Sequence, residues 1–366
     1  MPVISFALTI LGLLLALCLF KRLRFLSKQD QTSVPFPTVS VVIPARNEER
    51  SLDTLLKSLA QQRIPIHEII CVDDASEDRT SEVAKNYGVK LIRIDTKPAG
   101  WLGKSYACHI GAEAASGELL CFVDADVEFD ADAFEALLTL QKRHELVSVQ
   151  PKHMTKRNYE QLSLLFNLVA AASLGSTFPF GSKYPGLFGP VILLPKTVYE
   201  AVGGHEAIKG ARVDDVRLGV NLKKAGVRSF SCLGGDLIRF RMYPEGLKSL
   251  QEGWTKNIAT GAAKSSFAFI LIVVLWISAL IRIPLELGYG LAAANWFAVT
   301  AYVILYIVAA LELCWAAGKV GQFKRRTAVL YPLPLLFFLG IFLLSLYKKL
   351  AARPIYWKGR DISTVD

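Results

Sequence analysis

The chain has 366 residues, of which 52% are hydrophobic, and a formal net charge of +10. The apolar excess lies at the two ends of the chain and is too large for an ordinary soluble enzyme, so we expect a soluble domain held by membrane segments. The basic residues lie beside the apolar segments, as in flanks that face anionic lipid, and no zinc-finger spacing or aromatic RNA motif is present, so we expect no nucleic-acid partner. The six cysteines show no paired spacing, which indicates reduced thiols and a cytoplasmic catalytic part.

Residues 1–38 predict a membrane anchor and a linker. Residues 2–20 are almost wholly apolar and long enough for a bilayer core of about 30 Å. The positive charges of KRLR follow this run, whereas a signal peptide carries them before it. We therefore expect a retained anchor with its N terminus outside, followed by a linker at residues 27–38 that contains Pro35 and Pro37.

Residues 39–150 alternate between short apolar runs and amphipathic segments. We expect strands at 39–43, 68–72, 90–94, 119–123 and 147–150, and helices at 51–62, with Ser51 as the N-cap, and at 80–87, 104–116 and 131–143. This alternation predicts an α/β fold with a mostly parallel sheet and right-handed crossovers.

The stretch LLCFVDAD at residues 119–126 is the centre of the predicted site. Asp124 and Asp126 follow a buried strand, at the edge where ligands bind in open α/β sheets. Residues two apart in an extended segment point the same way, and two such carboxylates repel unless a cation neutralises them. A divalent metal that also holds a diphosphate would do so, because Mg²⁺ usually takes one or two carboxylates plus phosphate oxygens. The alternative is a solvated turn with two acids.

Three further acids follow predicted strands of the same sheet. Asp73 and Asp74 come after the second strand, and Glu48 follows the first in IPARNEE. These carboxylates would line one sheet edge and could accept hydrogen bonds from a base or a ribose. A turn with a local helix cap at Ser76 or Asp78 is also expected in VDDASEDRT. Neither G-x-G-x-x-G nor G-x-x-x-x-G-K-[ST] is present, which argues against a dinucleotide fold and a P-loop.

Four motifs in order, VVIPARNEE, VDDASEDRT, KPAGWLGKSYA and FVDADV, resemble family 2 of the inverting glycosyltransferases over residues 39–263. The resemblance implies the GT-A fold, a mixed and mostly parallel sheet, here with N- and C-terminal transmembrane helices. It implies that Asp73 contacts the base or ribose of a UDP-hexose donor, and that Asp124 and Asp126 hold Mg²⁺ or Mn²⁺ on its diphosphate. The donor-binding set on this basis is Pro44, Glu48, Asp73, Asp74, Lys104 and Asp124.

The resemblance also implies an acidic pair on the acceptor side, matched by VDDVRL at residues 213–218. Asp214 stands where the family usually has Glu, and Asp215 is assigned as the general base, which inverting transfer requires. A helix N-terminus capped by Asp214 is compatible with that assignment.

Two more segments belong to the predicted acceptor or sugar region. Gly203 and Gly204 would allow close backbone approach to a sugar, and His205 is interpreted as a hydrogen-bonding partner rather than a ligand or base. GWTKN at residues 253–257 resembles the family's arginine-tryptophan segment, but glycine replaces the arginine, so Lys256 is a candidate for the diphosphate contact. Trp254 could stack on an acceptor or simply pack.

The predicted domains are 1–38, 39–264 and 265–366. The catalytic domain comprises a nucleotide-sugar half at 39–150 and an acceptor half at 151–264, with an interfacial rather than crossing helix at 162–180. Apolar segments at 267–289, 291–317 and 328–347 predict a multi-pass cell-membrane protein, with Arg282, Pro284 and Glu286 interrupting the first. Three crossings there would put the basic tail outside, so either one segment is re-entrant or the first is only partly inserted.

The G-W-x-G-K element at residues 100–104 and the RPIYWKGRD tail at 353–361 resemble a subgroup that acts on hydrophobic acceptors, including carotenoid glycosyltransferases of the diaponeurosporenoate type. This implies transfer of a hexose, glucose from UDP-glucose, to a lipid, with a C30 carotenoid carboxylic acid preferred and a glycosyl ester as product. A hopanoid, diacylglycerol, sphingoid lipid or polyprenyl phosphate is the alternative acceptor. A sugar-phosphate nucleotidyltransferase and a non-catalytic scaffold are the alternatives of other classes.

Overall fold

The computed structural model describes residues 3–28, 35–173, 187–211, 214–261, 267–351, 353, 356–357 and 360–361. Contacts divide the chain into two compact units. The sheet unit lies within Arg24–Lys152 and Tyr184–Met242, and the helical unit within Met1–Leu23, His153–Lys183 and Tyr243–Asp361. The predicted domains are continuous stretches of sequence, whereas each compact unit combines separate stretches. The predicted domain boundaries stay a prediction.

The strands are short and, in the sheet unit, mostly buried. They are β1 (Val39–Ala45), β2 (Glu68–Asp74), β3 (Lys90–Ile94), β4 (Leu119–Val123), β5 (Val127–Phe129), β6 (Leu146–Gln150), β7 (Lys152–His153), β8 (Val191–Pro195), β9 (Ser229–Leu233), β10 (Ile238–Phe240), β11 (Tyr356–Trp357) and β12 (Arg360–Asp361). All five expected strands are present, and β2 includes Asp73 and Asp74 as its last residues instead of ending before them.

The main sheet has seven strands in the order β3-β2-β1-β4-β8-β6-β9. β1 pairs in parallel with β2 and β4, β2 with β3, and β6 with β9. β8 runs antiparallel between β4 and β6. The sheet is therefore mixed and mostly parallel, as predicted, and a separate antiparallel pair joins β5 to β10.

The helices surround this sheet or form the helical unit. They are α1 (Val3–Phe20), α2 (Glu49–Ala60), α3 (Thr80–Asn86), α4 (Gly103–Glu113), α5 (Ala133–Gln141), α6 (Leu164–Ser173), α7 (Lys196–Ala201), α8 (Asp214–Lys224), α9 (Leu247–Gly261), α10 (Phe267–Ala292), α11 (Trp296–Val320), α12 (Arg325–Val329) and α13 (Pro332–Leu350), with 3₁₀ turns at Asn158–Ser163 and Glu206–Ile208.

Successive side chains of β1 point to opposite faces of the sheet, and a hydrophobic core lies on each face. Val41 and Ile43 pack on the face covered by α2 and α5, and Val42 packs on the face covered by α4. The prediction that Ser51 caps α2 was wrong, because Glu48 precedes the helix. The N–H of Glu48 donates to Thr80 Oγ1 at 2.8 Å and that of Glu49 to Asp78 Oδ2 at 3.1 Å, so side chains at the start of α3 satisfy these groups instead of a local cap.

In the part of the helical unit that the structure describes, three helices are long and apolar enough to cross a membrane, α10, α11 and α13. α1 is apolar throughout but shorter, with 18 residues. α10 continues through Pro284, so the predicted interruption there does not break the helix. Of the predicted interfacial helix at 162–180, α6 covers Leu164–Ser173, and residues 174–180 lie outside the described residues.

Candidate active site

The carboxyl end of β4 opens into a small cleft. Asp124 follows the strand directly, and its N–H donates to the carbonyl of Pro190 at 2.9 Å, which fixes its position beside the start of β8. Lys104, in the first turn of α4, places its Nζ 2.6 Å from Asp124 Oδ1. This cleft is lined by Pro44, Lys104, Cys108, Phe122, Val123, Asp124, Gly189, Ile192, His205, Asp214 and Asp215.

The acidic pair enters the cleft from the first turn of α8. Asp214 and Asp215 are the first residues of that helix, where the helix dipole favours negative charge. The N–H of Val216 donates to Asp215 Oδ1 at 2.7 Å. A Cβ on Gly189 would lie 2.6 Å from Asp215 Oδ2, so the missing side chain at Gly189 leaves the space that the carboxylate occupies.

The charges in the cleft perturb one another. Burial and the neighbouring Asp214 carboxylate raise the pKa of Asp215 to about 6, although the Lys104 ammonium group acts to lower that pKa. Burial alone would lower the pKa of Lys104, but the Asp124 and Asp214 carboxylates outweigh it and raise that pKa well above its ordinary value. Three carboxylates therefore face one ammonium group, which leaves the cleft with an excess of negative charge.

Asp73 and Asp74 are buried and take part in local contacts. The N–H of Ser76 donates to Asp73 Oδ1 at 2.9 Å, and the hydroxyl of Ser81 donates to Oδ2. Asp74 forms an ion pair with Lys97 at 3.0 Å. Asp73 therefore holds the segment after β2, and Asp74 ties the end of β2 to the loop after β3. Among the described residues, the cleft lining includes Pro44 but not Asp73, Asp74, Glu48 or Asp126.

His205 is a buried hydrogen-bonding residue at the wall of the cleft. Its ring Nδ1 lies 2.9 Å from the hydroxyl of Tyr199, and the backbone N–H of His205 donates to the same oxygen at 3.0 Å. Burial lowers the pKa of His205 to about 4, so the ring is neutral at neutral pH. Gly204 has a φ of +47°, and a Cβ there would lie 2.4 Å from Tyr199 Cζ. In this structure the glycine makes room for the Tyr199 ring.

Trp254 and Lys256 lie on α9 in the helical unit. The indole of Trp254 stacks on Phe166 with centroids 4.6 Å apart, and its Nε1 donates to Ser163 Oγ at 3.0 Å. Trp254 thus packs in the core of that unit. A Cβ on Gly253 would lie 2.1 Å from the Tyr243 ring, so the family's arginine cannot be accommodated there without moving Tyr243. Lys256 is half-buried.

Sequence reasoning missed three residues that shape the cleft: Cys108, Gly189 and Tyr199. Cys108 lies four residues after Lys104 on α4, and this spacing alone places both on one helix face. The contacts of Gly189 with Asp215 and of Tyr199 with His205 join distant parts of the sheet unit, so no local pattern indicates them.

The donor set at the end of β4 suits a hard divalent cation. Among the residues that the structure describes, no group of three or more His, Cys, Asp or Glu side chains is placed to hold a metal by itself. Asp124 is a carboxylate of this cleft, and Mg²⁺ usually takes one or two carboxylates when phosphate oxygens complete its shell. The excess negative charge around Lys104 also favours a cation. The residues present therefore fit a metal that arrives with a diphosphate.

Comparisons with known proteins give the family of this chain. The model of glycosyl transferase family 2 matches residues 40–168. The 4,4'-diaponeurosporenoate glycosyltransferase of Staphylococcus aureus strain USA300 is 36% identical over 332 residues, which cover 89% of this chain and 88% of that protein. The protein of the same name from strain MRSA252 is also 36% identical over 332 residues, with the same coverage.

Two solved structures are similar at low identity. One is the mannosyltransferase PcManGT of Pyrobaculum calidifontis in complex with GDP-Man and Mn²⁺, with a TM-score of 0.49, 18% identity and coverage of 94% of this chain and 95% of that one. Another is glucosyl-3-phosphoglycerate synthase of Mycobacterium tuberculosis with Mn²⁺, UDP and phosphoglyceric acid, with a TM-score of 0.41, 21% identity and coverage of 62% and 78%. On the identity and coverage of the Staphylococcus relatives, this chain belongs to glycosyl transferase family 2.

Proposed function

We propose that this protein is a membrane-bound inverting glycosyltransferase that moves glucose from UDP-glucose to a C30 carotenoid carboxylic acid, giving a glycosyl ester. The observation that carries the proposal is the cleft at the end of β4, where Asp124, Asp214 and Asp215 converge on Lys104. The names of the Staphylococcus relatives support the acceptor, because the chain covers most of their length.

On the donor side, Asp124 and Asp126 would hold Mg²⁺ or Mn²⁺. When bound, the metal would neutralise charge on the donor diphosphate and on the leaving UDP. Lys104 brings a second positive charge to the same cleft and is available to the diphosphate once a cation takes its place beside Asp124. Pro44, Glu48, Asp73 and Asp74 are proposed as further donor contacts, with Asp73 fixing the segment after β2 and Asp74 the loop after β3.

Asp215 is proposed as the base. As the acceptor oxygen attacks the anomeric carbon, its bond to that carbon forms while the bond from the carbon to the diphosphate oxygen breaks on the opposite face, which inverts the configuration. Asp215 takes the proton of a hydroxyl acceptor. A pKa of about 6 suits this role, because the carboxylate is ionised at neutral pH yet more basic than an ordinary aspartate. For an acceptor carboxylate that is already ionised, Asp215 orients rather than deprotonates.

Gly203, Gly204, His205 and Asp214 of the sheet unit are proposed as acceptor or sugar contacts. Trp254 and Lys256 of α9, in the helical unit, are proposed for the same role on the family resemblance alone. His205 is neutral and held by Tyr199, so its contribution is a fixed hydrogen-bonding group at the cleft wall. The packing of Trp254 against Phe166 supports a structural role for its ring, and Lys256 remains the candidate cation of that segment.

We further propose a multi-pass protein of the cell membrane with a cytoplasmic catalytic domain at residues 39–264, preceded by an anchor at 1–38 and followed by a membrane region at 265–366. The apolar helices and the basic residues beside them support this arrangement. In the described residues all six cysteines are free, as expected for a reducing compartment.

The acceptor is tested by expressing the protein in a host that accumulates the C30 carotenoid acid and analysing extracted pigments by mass spectrometry. We expect a new pigment heavier by one hexose, cleaved by mild alkali as an ester is, and nearly absent with Asp124→Asn. A hexose on a hopanoid, diacylglycerol or other lipid, with the carotenoid acid unchanged, would select the alternative acceptor. Release of inorganic diphosphate from UTP and a sugar phosphate would indicate the nucleotidyltransferase instead.

A further inference from the structure

The first apolar helix packs closely against the first helix of the C-terminal group. A Cβ on Gly12 of α1 would lie 2.6 Å from the carbonyl oxygen of Leu275 and 2.8 Å from Ala279 Cβ on α10, so the two helices touch through their backbones. Ala16, one turn further along α1, is fully buried. Gly12 and Ala16 form the small-x-x-x-small pattern that joins helices within membranes.

Side-chain contacts give the direction of α1 relative to α10. The start of α1 lies near Arg282, which donates to the hydroxyl of Ser5. The end of α1 lies nearer the start of α10, where the rings of Phe20 and Trp276 are 5.4 Å apart. The two helices therefore run antiparallel.

α1 and α11 run in the same direction. The rings of Phe6 and Tyr302 are 5.8 Å apart near the start of both helices. Near the end of both, Lys319 Nζ donates to the carbonyl of Phe20 at 2.9 Å. At 1.5 Å per residue, α10 and α11 are about 39 and 37 Å long, and α1 about 27 Å, so this bundle matches a bilayer core of about 30 Å.

The two ends of this three-helix bundle differ in charge. Lys21 and Arg22 follow α1, and Lys319 lies in the last turn of α11, so both helices end in positive charge. The connection between α10 and α11, residues 293–295, carries no charge. The positive-inside rule assigns the basic end to the cytoplasm.

After α11 the chain turns back along that helix. Cys314 Sγ contacts the carbonyl of Arg325 at 3.7 Å, and the hydroxyl of Tyr306 donates to the carbonyl of Val329 at 2.6 Å. The rings of Tyr306 and Tyr331 are 5.0 Å apart. Since α11 comprises Trp296–Val320, the end of α12 lies level with the middle of α11 and hence near mid-membrane.

α13 then returns toward the basic end. Gln161, in the 3₁₀ turn before α6, accepts from the N–H of Lys324 at 2.9 Å and from the hydroxyl of Thr327, so this turn marks the level where α12 begins. Phe166, five residues later, contacts Phe338 of α13 with ring centroids 4.9 Å apart. Further along α13, the hydroxyl of Ser345 donates to the backbone carbonyl of Thr255 on α9 at 3.3 Å.

The reversal between α12 and α13 is suited to an apolar surrounding. Irregular backbone inside a membrane must have its polar groups paired by protein. Here the N–H of Leu330 donates to the carbonyl of Arg326 at 2.8 Å, and that of Leu333 donates to the carbonyl of Leu330 at 3.0 Å. Pro332 has no N–H to satisfy at the first position of α13.

We propose that the bilayer is crossed three times, by α1, α10 and α11, and that α12 and α13 form a re-entrant hairpin that enters and leaves the membrane at the basic end. The bilayer is then the partner of the exposed apolar face of α13, which carries Leu333, Leu336, Leu343, Leu346 and Leu350. The hairpin keeps Arg325 and Arg326 on the same side as Lys348 and Lys349, which a crossing α13 would separate. The inference rests on the multi-pass attachment proposed above.

Single-cysteine labelling tests the hairpin. In a Cys18→Ala, Cys314→Ala background the four remaining cysteines are buried, so the background itself should not react. Cysteines at Ala293, Gln322, Leu330 and Ala351 are probed with a membrane-impermeant maleimide in intact cells and in inside-out vesicles. We expect Ala293→Cys to react only in cells, Gln322→Cys and Ala351→Cys only in vesicles, and Leu330→Cys in neither.

A spin label on Leu330→Cys tests the same position by a positive signal. Its spin relaxation should be faster with oxygen, which dissolves in lipid, than with a water-soluble nickel chelate. Reaction of Ala351→Cys in intact cells would show that α13 crosses. Reaction of Leu330→Cys in vesicles would show that α12 and α13 lie on the surface. Extraction of the protein from membranes by alkaline carbonate would instead overturn the multi-pass attachment itself.

Discussion

The two segments that the family resemblance assigns to the acceptor side have different surroundings in the structure. At the start of α8, Asp214 and Asp215 enter a cleft, and Gly189 leaves space for the carboxylate. On α9, Gly253 and Trp254 are enclosed by rings of the helical unit. Family position alone therefore does not distinguish the roles. Charged side chains that meet at a cleft indicate chemistry, whereas an aromatic side chain with stacking and hydrogen-bonding partners indicates structure.

The largest expected effect is at the cleft. Asp124→Asn and Asp126→Asn should each lose most of the transfer activity while the protein stays folded and membrane-bound, because both carboxylates are proposed to hold the cation on the diphosphate. Glu128→Gln, an acid of β5 that forms an ion pair with Arg239, is the matched control and should keep its activity. Undiminished activity in EDTA would contradict the metal role.

A large effect on stability is expected at Gly253. Gly253→Ala puts a Cβ 2.1 Å from the Tyr243 ring, and such overpacking costs roughly 1–3 kcal/mol. Gly318→Ala, with no heavy atom near the added Cβ, is the matched control. Thermal unfolding in detergent measures both. The comparison of the two segments would fail if Gly253→Ala were as stable as Gly318→Ala and lost only transfer.

The sheet and the acids at its edge were predictable because their signals are local. Runs of about five apolar residues ending in Asp73 or Asp124 define a strand and its carboxyl end without knowledge of the rest of the chain. The antiparallel strand β8 was not predicted, since its place between β4 and β6 depends on pairing across distant segments. The contact of Tyr199 with His205 was missed for the same reason.

The membrane region was predictable in composition but not in path. Hydropathy located α10, α11 and α13 closely, yet the same pattern fits a crossing helix and a hairpin arm. Only contacts such as that between Tyr306 and Val329 give the depth at which α13 begins. In the cleft, likewise, the sequence indicated Asp124 and Asp215 but not the ion pair of Asp124 with Lys104.

An effect of similar size is expected at Trp254. Trp254→Phe keeps a ring against Phe166 but removes the hydrogen bond to Ser163, whose hydroxyl is buried. Leaving that hydroxyl without its donor should cost about 1–3 kcal/mol, and adding Ser163→Ala should recover part of it. Chemical unfolding of the two single variants and the double variant measures the coupling. A normal stability with a selective loss of acceptor affinity would favour stacking on the acceptor.

The smallest effect is a pH-dependent gain in stability. The folded-state pKa of Asp215, about 6, lies above its ordinary value, so ionised Asp215 destabilises the fold, fully so above about pH 6. Asp215→Asn should therefore raise the melting temperature at pH 8, and the gain should shrink as the pH falls through 6. Asp236→Asn is the control of opposite sign, because the hydrogen bond from Lys152 lowers the pKa of Asp236.

The central claim is that Asp215 acts on the acceptor while Asp124, Asp126 and Asp73 act on the donor. Its most direct test measures UDP-glucose binding and glucosyl transfer on the same Asp215→Asn protein. We expect nearly unchanged binding and a transfer rate lowered by about 10²–10⁴-fold on an alcohol acceptor, with a smaller loss on a carboxylate. Loss of UDP-glucose binding in Asp215→Asn, or full transfer by it while Asp214→Asn is inactive, would contradict the account.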